Sequence, residues 1–171
     1  MGMIEPLVEE IRHEAASTRG ILECLPEDNL GWKPHDKSMS LVHLASHIAE
    51  SLSWVMPTLD QDEMNMDPEN YKPWIAENKA EILAAFDKNL AEAIEYMQKQ
   101  SDEKLLGTWT MKVAGEVAFS MPRIAVLRFF VISHMIHHRG QLGVFLRLRD
   151  IPVPQVYGPT ADYPDMIPPG A

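Results

Sequence analysis

Cysteine is all but missing from this chain. Cys24 is the sole one in 171 residues, so no disulfide can form within the chain, as suits a reducing cytoplasm. Positive charge is scarce as well: 15 Lys and Arg face 25 Asp and Glu, for a formal net charge of -10. No basic run is long enough to override that field, which repels nucleic-acid phosphates and anionic lipid, so neither partner is expected. Long apolar runs are also lacking. The richest, Ile124 to Leu148, is broken by Arg, His and Gly and is no bilayer span. The opening Met-Gly-Met-Ile-Glu-Pro has no basic region leading into an apolar one, so no signal peptide is expected. There are no internal repeats, and biased composition is confined to a proline-rich end.

What remains describes an ordinary globular chain. It is 46% hydrophobic and 23% charged, and its length suits one domain over residues 1–171. Eleven methionines indicate adaptable packing and carry no functional message of their own.

Ile4, Leu7, Val8, Ile11, Ala15, Ile21 and Leu22 recur at helical spacing and predict a first helix from about Ile4 to Cys24. Pro6 fits its first turn and Pro26 follows its end. His13, among charged neighbours, reads as a solvated residue, and Cys24 as a small buried one. Pro26, Asn29, Gly31 and Pro34 make residues 25–37 a loop, with Trp32 closing an end of the core. Ser38 or Ser40 caps a second helix that runs to about Met56, where Pro57 ends it. Leu59 to Lys72 is an acidic, solvated connection that matches no calcium-loop pattern.

A third helix is predicted from near Pro73 to about Gln100 on the stripe Ile75, Ile82, Phe86, Leu90, Ile94 and Met97. It has no inward histidine and reads as scaffold. Between Ser101 and Pro122, apolar residues alternate around Ala114-Gly115, as in a short hairpin or an extended connection. A fourth helix spans about Pro122 to Arg149. Beyond about residue 151 the prolines prevent another helix, so the tail either packs as extended chain or is partly loose.

The histidines cluster on the fourth helix, in Ile132-Ser-His-Met-Ile-His-His-Arg-Gly-Gln-Leu142. His134 and His138 are four apart and share one face. At roughly 100° per residue, Leu127, Phe130, Gln141 and Phe145 lie on the His134 side. His138 leans toward Val131, Ile124 and Leu142, and His137 falls at the edge. Arg139, Gly140 and Arg147 are expected on the far, solvent side. On the second helix, His47 shares its side with Leu44, Ile48, Trp54 and Val55. His43 is rotated toward the rim, although spacing alone does not exclude it. Glu50, one turn beyond His47, is expected to face solvent or hold His43.

Buried imidazoles need partners, since an unpaired buried polar group costs a few kcal/mol. One partner is a metal ion, and the other is a set of hydrogen bonds to carboxylates or hydroxyls. Four long amphipathic segments indicate an all-α helix bundle, whose core builds metal sites from facing helices. Three histidines leave positions open on the ion, and imidazole suits zinc, nickel, iron or copper. Such an ion would lower the pKa of bound water or of a bound thiol.

His134-x-x-x-His138-Arg-Gly-Gln-Leu, Ser40-Leu-Val-His-Leu-Ala-Ser-His47-Ile and the Val-Pro-x-x-Tyr157-Gly-Pro tail resemble the DinB-like (DinB/YfiT) metalloenzyme family, over nearly the whole chain. The resemblance implies an antiparallel four-helix bundle with a long crossover, often a homodimer. By motif position it implies His47, His134 and His138 as metal ligands. It further implies a metal-dependent transferase that uses a low-molecular-weight thiol, such as bacillithiol or mycothiol, on a small-molecule electrophile. A metal-dependent hydrolase and a non-catalytic, stress-related metal-binding protein are its alternatives.

Overall fold

The computed structural model describes residues 2–165. Four helices carry the core. The first, α1 (Ile4–Glu23), packs on α4 (Lys79–Gln98) and α7 (His134–Arg147), and α2 (Leu41–Ser51) packs on the same two. The stripe foreseen on α1 is fully buried: Ile4, Leu7, Val8, Ile11, Ala15, Ile21 and Leu22 all lie in the core. Facing residues are Leu44 and Ile48 from α2, Ile82, Phe86 and Met97 from α4, and Leu142 and Leu146 from α7. Among the described residues no helix is long and apolar enough to cross a membrane.

Ser40, one of the two foreseen caps, starts α2 by accepting a hydrogen bond from the His43 backbone N–H at 3.3 Å. Pro57 does not end the helical path. A single 3-10 turn, Leu52–Trp54, follows α2 and leads into α3 (Val55–Asp60), which holds Pro57 in its first turn. The missing proline N–H is harmless there, because first-turn donors have no partner within a helix.

The helix foreseen from Pro73 starts only at Lys79. Residues 73–78 are extended, held by the Ala76 N–H donating to the buried Ser46 hydroxyl at 2.9 Å. Ile75, counted in the stripe, is consequently exposed. The start is chemically defined. The Asn78 side chain accepts from the Glu81 N–H at 2.9 Å, and the Glu81 carboxylate accepts back from the Glu77 N–H at 2.8 Å. Asn78→Ala is expected to cost about 1 kcal/mol, read as a lower urea midpoint at unchanged m-value; no shift would mean that the cap is dispensable.

The hairpin is present, and it belongs to a sheet. After the short α5 (Asp102–Leu106), β2 (Thr108–Val113) pairs antiparallel with β3 (Glu116–Pro122). The turn residues Ala114 and Gly115 both have positive φ, 50° and 86°, as a two-residue hairpin turn demands. Periodicity gave no sign of β1 (Glu63–Met66), which lies in the acidic connection and pairs parallel with β2, Glu63 opposite Thr110. The molecule is therefore mainly helical with a small three-stranded mixed sheet rather than all-α.

Arg123 holds this sheet to the helices. Only 3% exposed, it donates to the carbonyls of Thr58, Thr108 and Gln61 at 3.0 Å each, and to Asp62 at 2.5 Å. Gly107 makes room: a Cβ there would lie 2.7 Å from the guanidinium.

The last long helix is a single path of changing pitch. A short α6 (Arg123–Val126) continues into a π-helical stretch, Leu127–Ser133, and then into α7. Beyond it, residues 151–165 form an irregular, bending chain without helix or strand, and Ile151, Val153 and Val156 pack against the core. The final part of the proline-rich tail, 166–171, lies outside the described residues.

Candidate metal centre

Three imidazoles meet between α2 and the start of α7. His47, two turns into α2, faces His134 and His138, and one ring nitrogen of each lies within 4.8 Å of the other two. The Nε2 atoms of His47 and His134 are 2.8 Å apart, so they share a hydrogen in the metal-free form. Gln141 Oε1 accepts from His138 Nδ1 at 2.7 Å. A carbonyl oxygen only accepts, so Nδ1 carries the proton and Nε2 keeps its lone pair. This is the arrangement that orients an imidazole ligand. His43 stays half-buried and His137 exposed, both outside the group. The donor set is all imidazole, with neither a carboxylate nor a thiolate in it, and fits a divalent transition metal.

Electrostatics prepares these rings to be neutral. Burial, reinforced by the neighbouring His138, pushes His47 from 6.5 down to about 4. Burial does the same to His134, to about 4, with His138 and His47 adding to it. His138 is lowered by burial too, opposed by its bond to Gln141. Neutral imidazole is the ligand form. The sign of the pH dependence follows. Between 6.5 and 4 the unfolded chain binds protons that the folded apoprotein refuses, so stability falls as pH drops through that window and levels off below it. We expect apoprotein thermal stability to decline from pH 6.5 downward. A His47→Gln/His134→Gln variant should be flatter above about pH 5, where carboxylates do not yet titrate. Equal slopes would show that these rings titrate normally.

Aromatic side chains wall the cluster. The Trp54 ring lies 5.6 Å from that of His47 and 5.4 Å from that of His134, and Phe130 stacks tilted on His134 at 5.8 Å. Two clefts flank the centre. One, of about 490 Å³, opens on His47 and runs under β1 and β2. The other, about 440 Å³, opens on His138 beside Lys37, Ser38 and Gln141.

Two orientations differ from those expected. Arg139 is not on a solvent face: it is 3% exposed and its guanidinium lies 2.8 Å from the Glu14 carboxylate. The buried stripe of α7 is Met135, Arg139, Leu142 and Leu146, centred roughly 100° around the helix from His134. The histidines therefore occupy the flank of that stripe and not its middle, which is why clefts reach them. Glu50 is half-buried, and no hydrogen bond joins it to His43 among the described residues. Its Oε2 is buried without a hydrogen-bond partner among the described residues, and burial raises its carboxyl pKa. It lines a separate groove with Trp74 and Lys88. Cys24 is half-buried, donates to the Gly20 carbonyl, and has its thiol pKa raised by burial, which favours the protonated form.

Sequence reasoning missed Gln141 as the orienting partner, although its position three residues after His138 was a usable signal. It also missed Met64, Met66 and Met111, which line the His47 cleft and carry no distinguishing pattern.

The DinB family model matches residues 3–169. The chain belongs to the DinB family. Among solved structures, this DinB protein resembles a DinB-like protein from Bacillus cereus ATCC 10987, with TM-score 0.71 and 22% identity over 90% of this chain and 97% of that one. It also resembles a DinB-like protein (YjoA) from Bacillus subtilis, with TM-score 0.67 and 19% identity, covering 88% of this chain and 96% of that one. These likenesses show the fold. No curated protein matches this DinB chain.

Proposed function

We propose that this DinB protein binds one divalent transition metal, zinc, nickel or iron, through His47, His134 and His138. We read it as a transferase that activates a low-molecular-weight thiol for attack on a small-molecule electrophile. The observation that carries the reading is three imidazoles, neutral at physiological pH, converging beside two clefts. When bound, the metal would supply a lowered pKa to a thiol or water on its open side. The chain's own residues do the rest. Gln141 fixes the His138 tautomer, and Trp54 and Phe130 pack against the His47 and His134 rings.

The four helices are read as an antiparallel bundle with a long crossover, the protein as a cytoplasmic homodimer, to be checked by light scattering. Purified protein, reconstituted with each metal in turn, should accelerate loss of monochlorobimane in the presence of a thiol. Rates that ignore both metal and thiol would refute the transferase reading.

A further inference from the structure

We propose that the cleft on the His47 side takes an apolar ligand without negative charge, so that the electrophile of the transferase reading, on which this inference rests, is a hydrophobic molecule that is not an anion. The walls decide the class. Four aromatic side chains line the cleft: Trp54, Tyr71, Trp109 and Phe130. Its other large side chains are Met64, Met66 and Met111, flexible thioethers that mould to varied apolar shapes. A volume of about 490 Å³ suits a small organic molecule.

The charges decide against an anion. No Lys or Arg lines this cleft, and its single ionised group is Asp67. That carboxylate is bound within its own segment: Oδ1 accepts from the Glu69 N–H at 3.0 Å and Oδ2 from Asn70 at 2.7 Å. It shapes the turn after β1, and it keeps its charge and a free lone pair on each oxygen. The connection that carries it also holds Asp60, Asp62, Glu63 and Glu69, in a chain of net charge -10. Two basic groups that meet this connection are bound to it, Lys112 to Glu63 at 2.7 Å and Arg123 to Asp62 at 2.5 Å. A phosphonate or carboxylate entering here would lose hydration, meet no cation and approach against the field.

The opposite cleft differs in kind. It offers Lys37, Ser38 and Gln141 beside His138. A polar or anionic ligand has its chemistry there, so two unlike molecules reach the imidazoles from two sides without competing for one surface.

Three probes of one shape test the assignment: 1-naphthylmethanol, 1-naphthoate and 1-naphthylmethylammonium. Each is titrated into protein labelled with 13C at the methionine methyls. The neutral probe is expected to move the Met64 and Met111 signals, and naphthoate to need at least a tenfold higher concentration for the same shift. The ammonium probe, which Asp67 can meet, should bind more tightly than naphthoate. Met66 is 37% exposed, so Met66→Arg should keep the fold while adding the missing cation. It should improve naphthoate binding at least tenfold. Naphthoate binding as tightly as the alcohol, shifts that bypass Met64 and Met111, or no gain in Met66→Arg would each overturn the assignment. Because the titration uses metal-free protein, it fails or succeeds independently of the metal reading, which metal analysis alone decides.

Discussion

His138→Ala abolishes stoichiometric metal while the helices stay folded: that is the expected result with the largest functional effect. Losing a hydrogen bond to a ligand already costs about 10–100-fold in metal affinity, and losing the ligand itself exceeds that. The remaining pair, His47 and His134, has its two Nε2 atoms 2.8 Å apart and can satisfy itself with one shared hydrogen. The fold should tolerate the change because His138 is half-buried at the mouth of a cleft and lies outside the buried stripe of α7. Metal content by mass spectrometry, with circular dichroism as the control for folding, reads the outcome. Gln141→Leu is the graded companion, expected to weaken binding by about 10–100-fold without removing a ligand. Unchanged metal in His138→Ala would break the three-histidine reading at its centre.

The largest expected loss of stability comes from the other flank of α7. Arg139 and the Glu14 carboxylate form a nearly enclosed ion pair, with side chains 3% and 10% exposed. Arg139 also donates to the Glu14 carbonyl at 3.1 Å, to Thr18 at 3.3 Å and to the Tyr157 hydroxyl at 2.6 Å. Tyr157 in turn donates to Glu14 at 2.6 Å. One network thus joins α1, α7 and the tail. Arg139→Met leaves a carboxylate enclosed without its cation and is expected to cost about 3–5 kcal/mol. Replacing both charges, Glu14→Leu with Arg139→Met, should recover most of that loss, because the desolvation cost disappears with the pair. Urea unfolding of the three proteins decides it. A loss below about 1 kcal/mol for the single variant would mean that water screens the pair as it would at the surface.

Much of this could be read from residue order, and the failures have physical causes. The core of α1, the Ser40 cap, the turn at Ala114-Gly115 and the meeting of His47 with His134 and His138 all follow from periodicity, capping and turn chemistry. Those signals are local. Arg139 defeated the helical wheel because α7 is covered on two sides, by helices and by the tail, while a wheel assumes one wet face. Pro57 defeated the stop rule because a 3-10 turn reset the register ahead of it. Strand β1 defeated pattern reading because its four residues, Glu-Met-Asn-Met, owe their conformation to pairing with a strand more than forty positions away. The apolar cleft was invisible for the same reason, since its walls come from α2, β1, β2 and the π-helical stretch together.

That stretch, Leu127–Ser133, has one further consequence. A wide turn accommodates a surplus residue without unwinding the helix, and it sets the angle at which Phe130, within it, meets His134, directly after it. Excising a single amino acid there would restore regular pitch while leaving the helix on either side in register. Phe130, inside the altered turns, would leave its place over the imidazole, while the sheet and α7 kept theirs. A short irregularity in winding is thus what keeps the hydrophobic wall and the nitrogen donors aimed into the same space.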